Sequence, residues 1–167
     1  MIKVGIITLS DKGFIGERVD ITGDKLKEMI LNHKDYEFVY YNLLPDTKDI
    51  IERELKELCD NKIVDLILTN GGTGFSKRDI TPEATLSIIE KSAPGISEYM
   101  RMKSLEITPK AMLSRGVSGI REETLIINLP GSPKGATENF SFVIDSLKHG
   151  IEILKGSATE CATPIKK

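Results

Sequence analysis

The sequence predicts an α/β fold with a mostly parallel sheet that is covered by helices on both faces. Two observations carry this prediction. Short, near-continuous apolar runs such as "KVGIITL" at 3–9 are typical of strands that are buried on both sides. These runs alternate along the chain with stretches whose apolar residues recur at helical spacing. Such alternation favours right-handed crossovers between parallel strands.

The elements of the first half follow this alternation. A helix is predicted over 22–33, and a strand is predicted over 36–44, which is rich in aromatic and β-branched residues. The next helix lies in "PDTKDIIERELKELCD", with Asp46 or Thr47 as its start signal. The apolar face of the first of these helices comprises Leu26, Met29, Ile30 and His33.

The second half begins with a third strand at 64–70. The helix "TPEATLSIIE" then follows a glycine-rich loop, with Thr81 as the predicted N-cap and Pro82 at the first helical position. The remaining predicted elements are helices over 95–106, 109–116 and 134–155 and short strands at 117–120 and 124–129.

Composition limits the classes of function. At 167 residues, the chain is predicted to form one domain over 1–156, with a polar tail at 157–167. A net charge of −2 and the absence of Trp argue against a nucleic-acid partner. No apolar run approaches the ~18 residues of a membrane span. Cys59 and Cys161 form no CxxC motif, so we expect reduced thiols and a cytoplasmic protein.

Four predicted loops follow strands, at 10–13, 43–47, 69–79 and 128–135. In open parallel sheets, ligands bind outside the carboxyl ends of the strands, where the strand order reverses. We therefore expect the functional residues to converge on this edge of the sheet. No arrangement of nucleophile and base is visible, and His33 and His149 are predicted to be structural, so the chemistry should depend on positioning and electrostatics.

The glycine-rich loop reads "TNGGTGFSKRD" over 69–79. Glycines allow positive φ and bring backbone amides close to a ligand, and successive exposed amides can bind an anion. The Thr73 hydroxyl could add a donor. The loop matches neither the P-loop nor the dinucleotide-binding motif. The alternative interpretation is a strand-to-helix connection that needs glycine for its geometry alone.

Asp46 and Asp79 are both predicted to lie at this edge. Two carboxylates beside a phosphate site suit Mg²⁺, which prefers oxygen ligands and usually shares them with substrate phosphates. Each aspartate also has a structural alternative. Asp46 could cap the helix that follows it, and Asp79 could form an Asx turn before Thr81.

Four segments, in order, resemble the Mog/MoaB-type family of molybdenum-cofactor biosynthesis. The glycine loop, extended to "TNGGTGFSKRDITPEAT" at 69–85, resembles the family's T-x-GGTG-x-x-x-RD-x-TP-x-A signature. The segments "APGISEYMR" (93–101), "AMLSRGVSGI" (111–120) and "INLPGSPKG" (127–135) resemble three further family motifs. The similarity extends from about Lys3 to Lys155.

The resemblance implies a three-layer α/β/α fold that assembles as a trimer or as a hexamer built from two trimers. It implies an adenylyltransferase that uses ATP as co-substrate and Mg²⁺ as cofactor to adenylylate molybdopterin, with hand-over of the product to a molybdotransferase. Asp46 and Asp79 match the family's catalytic, metal-binding acidic pair. The residues expected to contact ATP or molybdopterin are Ser10, Asp11, Gly71, Gly72, Thr73, Gly74, Glu98, Arg101, Ser114, Arg115, Pro130, Gly131 and Ser132.

Other functions stay open on the sequence. The chain could be a carrier that binds molybdopterin without adenylylating it, a related domain that acts on another nucleotide, or a simple nucleotide-binding module. The cations available to the site are Lys77, Arg78, Arg101, Arg115 and Lys134.

Overall fold

The fold is built on a six-stranded sheet in a computed structural model that describes residues 1–157. The strands are β1 (Ile2–Leu9), β2 (Tyr36–Leu44), β3 (Leu66–Asn70), β4 (Lys91–Ser92), β5 (Ser118–Arg121) and β6 (Thr124–Leu129). Their spatial order is β2-β1-β3-β6-β5-β4. The pairs β1–β2, β1–β3 and β3–β6 are parallel, while β5 is antiparallel to both of its neighbours. The predicted α/β class and mostly parallel sheet are confirmed.

Helices cover both faces of this sheet. They are α1 (Asp11–Phe14), α2 (Ile21–Leu31), α3 (Lys48–Asp60), α4 (Thr81–Ile88), α5 (Pro94–Leu105) and α6 (Pro133–Leu154), with a 3₁₀ helix over Pro109–Leu113. Residues of α2, α5 and α6 share one apolar cluster, and residues of α3 and α4 share a second. The three layers expected from the resemblance are therefore confirmed.

Side-chain alternation along the central strands produces the two clusters. In β1, Val4 and Ile6 belong to the cluster beneath α2 and α6, whereas Ile7 and Leu9 belong to the cluster beneath α3 and α4. All four side chains are buried. Because successive residues of a strand point to opposite faces, a strand covered on both sides must be apolar at nearly every position.

The structure corrects four details of the predicted elements. It adds α1 and the two-residue strand β4, which are too short to leave a periodic pattern. Thr81 is the first residue of α4 rather than its N-cap, which is Ile80. His33 lies beyond α2, because that helix ends at Leu31. The segment predicted as helix over 109–116 is 3₁₀ and ends at Leu113.

The strand order places a switch point between β1 and β3. From β1 the chain moves to β2 on one side, and it then crosses to β3 on the other side. The loops after β1 and β3 therefore separate at the carboxyl end of the sheet and leave a crevice. No helix within residues 1–157 is long and apolar enough to span a membrane. Cys59 is buried, and the tail beyond 157, with Cys161, lies outside the described residues.

Candidate active site

A cleft of about 630 Å³ opens at this switch point. The loops after β1, β2, β3 and β6 all contribute to its walls, as the predicted convergence of strand ends requires. Six of the residues expected in the site line it: Ser10, Asp46, Gly71, Asp79, Gly131 and Ser132. The sequence therefore located the edge of the sheet at which the cleft lies.

Asp46 is held by a reciprocal pair of hydrogen bonds with Asp11. The Asp11 amide donates to Asp46 Oδ2 and the Asp46 amide donates to Asp11 Oδ1, both at 3.0 Å. The second carboxylate oxygen, Asp46 Oδ1, is buried and has no hydrogen-bond partner within the described residues. Burial raises the pKa of the Asp46 carboxyl, and the charges of Asp11 and Asp79 raise it further. A buried oxygen without a partner is destabilising unless a ligand completes it.

Arg78 forms an ion pair with Asp11. Its Nε and one terminal nitrogen donate to the two carboxylate oxygens of Asp11, each at 2.9 Å. This bidentate pair lowers the pKa of the Asp11 carboxyl. Asp11 therefore joins the glycine loop to the loop that carries Asp46, and it does not line the cleft itself.

The first two glycines of the loop are required by backbone geometry. Gly71 has φ 101° and Gly72 has φ 64°, values that side chains disfavour. A Cβ at Gly71 would collide with the Leu9 carbonyl oxygen, and one at Gly72 would collide with the Thr81 hydroxyl. A Cβ at Gly72 would also lie 3.2 Å from Asp46 Oδ1, so the loop passes directly beside that carboxylate.

The carbonyl groups at the start of the glycine loop accept hydrogen bonds from the protein, whereas three of its amides donate none to the described residues. Thr81 donates its hydroxyl to the Gly71 carbonyl (2.9 Å) and its amide to the Gly72 carbonyl (3.1 Å). Within the part of the chain that the structure describes, the amides of Gly72, Thr73 and Gly74 donate to no acceptor. This pattern favours the anion-binding interpretation of the loop over geometry alone.

Asp79 closes the loop on the far side. The Ser76 amide donates to Asp79 Oδ2 at 2.8 Å. The predicted Asx turn of Asp79 before Thr81 does not form, because the Thr81 amide donates to the Gly72 carbonyl instead. Asp79 also lines the cleft, and its charge contributes to the raised pKa of Asp46. The contact with Ser76 and a ligand-binding role are compatible, because the Ser76 amide occupies only one of the two Asp79 oxygens.

Arg115 supports the loop from below. It donates to the carbonyl oxygens of Gly74 (2.8 Å) and Asp79 (2.9 Å), and it pairs with Glu83. Its backbone amide donates to the Thr73 carbonyl at 3.0 Å. These contacts fix the shape of the loop. A direct contact between Arg115 and a ligand stays a prediction.

A second, smaller cavity of about 240 Å³ lies against α5 and the start of α6. Arg101, Ser114, Pro130 and Ser132 line it, and Ser132 also lines the main cleft, so the two cavities adjoin. Arg101 donates to the Gly116 carbonyl at 2.8 Å. The expected ligand-binding residue Glu98 is exposed on α5 and lines neither cavity.

The sequence analysis missed a polar network on the wall of the cleft. The Asn70 side chain donates to Thr8 Oγ1 (3.0 Å), and both Thr8 and Tyr41 donate their hydroxyls to Asp20 Oδ2. Thr22 donates to the Gly131 carbonyl at 2.9 Å. Thr8 and Asn70 interrupt otherwise apolar strands near their carboxyl ends, and that interruption was the available signal.

The acidic pair alone does not form a complete metal site. Within residues 1–157, no group of three or more His, Cys, Asp or Glu side chains could hold a metal ion. Mg²⁺ is commonly bound through one or two carboxylates together with substrate phosphates. The orphan oxygen of Asp46 and the nearby carboxylate of Asp79 fit that kind of donor set.

Comparison with known proteins decides the family. A family described as "Probable molybdopterin binding domain" matches residues 5–149, which include all four loops of the cleft. The chain belongs to this molybdopterin-binding family. The resemblance of the four sequence motifs is thereby confirmed.

Similar members of the molybdopterin-binding family span most of the chain. The molybdopterin adenylyltransferase of Helicobacter pylori is 40% identical over 93% of this chain and 89% of its own length. That of Escherichia coli K12 is 37% identical over 98% and 91%. The crystal structure of the molybdopterin biosynthesis enzyme MoaB from Thermus thermophilus superposes with a TM-score of 0.88 at 48% identity, over 93% of this chain and 98% of that one.

Proposed function

We propose that this protein is a molybdopterin adenylyltransferase. The observation that carries the proposal is the buried, unpartnered oxygen of Asp46, which lies beside the glycine loop in a cleft shared with Asp79. Relatives of similar length in the same family have this activity in their names. Adenylyl transfer needs charge neutralisation and positioning, and the cleft offers groups for both.

The reaction joins the terminal phosphate of molybdopterin to the α-phosphate of ATP. A phosphate oxygen attacks the α-phosphorus, a new P–O bond forms, and the bond from the α-phosphorus to the bridging oxygen breaks to release pyrophosphate. A phosphate monoester is largely ionised at neutral pH, since its second pKa is ~6. The nucleophile therefore needs no general base, and no His is among the described residues that line the cleft.

The protein's own groups would hold the reacting phosphates in place. The amides of Gly72, Thr73 and Gly74 have no acceptor within residues 1–157 and are suited to a phosphate. Asp46 and Asp79 would hold Mg²⁺, because a hard cation would complete the unpartnered Asp46 oxygen. When bound, the ion would neutralise charge on the triphosphate and favour the departure of pyrophosphate.

Pyrophosphate release is the decisive measurement. We expect release only when ATP, Mg²⁺ and molybdopterin are all present, with adenylyl-molybdopterin detected by mass spectrometry. Binding of molybdopterin without release would support a carrier instead. Release from another nucleotide in the absence of pterin would support a related domain with a different substrate.

The Asp79→Asn variant tests the metal-binding role. An amide is a poorer ligand for a hard cation than a carboxylate. The substitution should therefore mainly weaken the stabilisation of the transition state. We expect turnover to fall on the order of 10²-fold or more, as when one electrostatic element of a site is removed. Pterin affinity should persist, because the loop amides are unchanged. Near-normal turnover would show that Asp79 is not a ligand, and a collapse of the melting temperature would show that its role is structural.

The assembly and cellular setting belong to the same proposal. From the family resemblance we infer a homotrimer, or a hexamer built from two trimers, that acts in the cytoplasm and passes adenylylated molybdopterin to a molybdotransferase. Co-elution of the loaded protein with a molybdotransferase would test the hand-over.

A further inference from the structure

Arg18 is a cation on the wall of the main cleft that the sequence analysis did not single out. It lies between α1 and α2, is exposed, and lines the cleft together with Val19 and Asp20. Within residues 1–157 it makes neither a hydrogen bond nor an ion pair. Its guanidinium is therefore available to a ligand.

Asp20, the acid that lines the cleft two residues after Arg18, does not pair with it. Asp20 is the N-cap of α2 and accepts from the Gly23 amide at 2.9 Å. Its other oxygen accepts from the hydroxyls of Thr8 and Tyr41. Both oxygens of Asp20 are thus occupied by groups that fix the start of α2, and no ion pair with Arg18 forms in the described structure.

The two arginines near the cleft that the sequence analysis named already form hydrogen bonds within the protein. Arg78 forms the bidentate pair with Asp11, and Arg115 holds the glycine loop. Among the described residues that line the cleft, Arg18 is the one cationic side chain, whereas three are acidic: Asp20, Asp46 and Asp79. A cleft that admits phosphates next to carboxylates needs positive charge, and Arg18 is the cation among its described lining residues that is free to supply it.

We propose that Arg18 binds a phosphate group of a substrate in this cleft. The inference rests on the proposed function, because it takes the phosphate from one of that reaction's substrates. A guanidinium donates two parallel N–H groups to phosphate oxygens, a geometry that a lysine does not reproduce. Two sources of the phosphate share this chemistry, namely the triphosphate of ATP and the monoester of molybdopterin.

The test compares Arg18→Gln and Arg18→Lys with a control, Arg53→Gln. Arg53 is exposed on α3, makes no hydrogen bond or ion pair within residues 1–157, and does not line the cleft. Calorimetry would measure Kd for the magnesium complex of a non-hydrolysable ATP analogue and, in separate titrations, for molybdopterin. Melting temperature and Kd at two salt concentrations would be measured on the same preparations.

We expect Arg18→Gln to weaken one of the two ligands by about tenfold or more, which corresponds to one charge-assisted hydrogen-bonded contact. Arg18→Lys should recover part of the affinity, and Arg53→Gln should match the wild type. The melting temperature of every variant should be unchanged. The affected ligand should also lose part of its salt dependence in Arg18→Gln.

The two titrations identify the source of the phosphate. A weakened ATP analogue assigns Arg18 to the triphosphate, and weakened molybdopterin assigns it to the monoester. Unchanged affinity for both ligands in Arg18→Gln overturns the inference, as does a wild-type protein that binds neither. If the wild type binds both ligands but releases no pyrophosphate, the proposed function fails, while the Kd comparison still decides the role of Arg18.

Discussion

Asp46 combines two properties that usually exclude each other, since it is an acid and one of its oxygens is both buried and unpartnered within the described chain. Burial disfavours the charged form and raises its pKa. Between the ordinary and the raised pKa, the folded protein binds more protons than the unfolded chain does. The free energy of unfolding therefore falls as the pH rises through this window. Such a residue is better explained by a ligand than by stability.

Replacement of Asp46 should separate stability from activity. We expect Asp46→Asn to melt above the wild type at neutral pH, with a difference that shrinks as the pH falls to the ordinary range of an aspartate. Asp11→Asn should act in the opposite direction, because the hydrogen bonds from Arg78 lower the pKa of Asp11 and stabilise its charged form. Thermal melts of the three proteins between about pH 4 and 8 would check this. An Asp46→Asn variant that melts below the wild type at neutral pH would contradict the prediction.

The sequence indicated Asp46 and Asp79 but not the bond between Asp46 and Asp11. That contact depends on strand register, because Leu9 pairs with Leu44 and so brings the two loops together. Register between strands separated by a helix leaves no local signal. Arg18 was missed for a related reason, since an isolated surface arginine has no pattern of its own.

At the scale of elements, the conformation of the glycine loop is fixed by hydrogen bonds from residues outside the loop. Thr81 at the start of α4 holds the first two carbonyls, and Arg115, just before β5, holds the carbonyls of Thr73, Gly74 and Asp79. The sequence motif predicted that the glycine loop binds a ligand. The motif could not predict that Arg115 fixes the shape of the loop, because this contact depends on the tertiary fold.

The glycines of this loop should respond differently to substitution. Gly72→Ala is expected to lower stability by roughly 1–3 kcal/mol, because φ is positive and the Thr81 hydroxyl stands in the way. Gly74 does not have a positive φ, and its added Cβ would meet only Asp79, with Oδ2 at 2.9 Å. Gly74→Ala should therefore lower turnover with little change in melting temperature. Equal losses of stability in the two variants would contradict this distinction.

Arg115→Lys should disturb the loop, because an ammonium cannot reach the acceptors of the planar guanidinium together. We expect both a lower melting temperature and lower turnover. Arg121→Lys is the matched control, because Arg121 forms a comparable pair with Asp60 and donates to the Ile88 carbonyl, and it does not line the cleft. That control should lose stability and keep its turnover. Full activity in Arg115→Lys would show that the loop does not need this support.

At the scale of the molecule, the fold was the most predictable property. The buried strand β3 is apolar until its last two residues, and α3 shows clear helical spacing. The type and order of such elements could therefore be predicted from the sequence. The short elements α1 and β4 could not be predicted, because they are too short to show a helical or strand periodicity and are stabilised by neighbouring elements. The cleft followed from the fold class, since the switch point is a property of topology.

The assembly state is a prediction at this scale. Light scattering should give a mass three or six times the 18.5 kDa of the chain, at concentrations where activity is measured. Obligate assemblies depend on protein concentration, so the measurement should include a dilution series. A stable monomer that retains activity would contradict the family-based expectation.

The strand order has a consequence for synthesis on the ribosome. β6 is buried along its whole length and lies between β3 and β5, yet it is the last strand of the sheet to be made. Until residue 129 has left the exit tunnel, β3 presents an unpaired and mostly apolar edge to the cell. Nascent chains should therefore need chaperone protection between the emergence of β3 and that of β6. A stop codon before Thr124 would yield an aggregating fragment rather than a smaller folded domain.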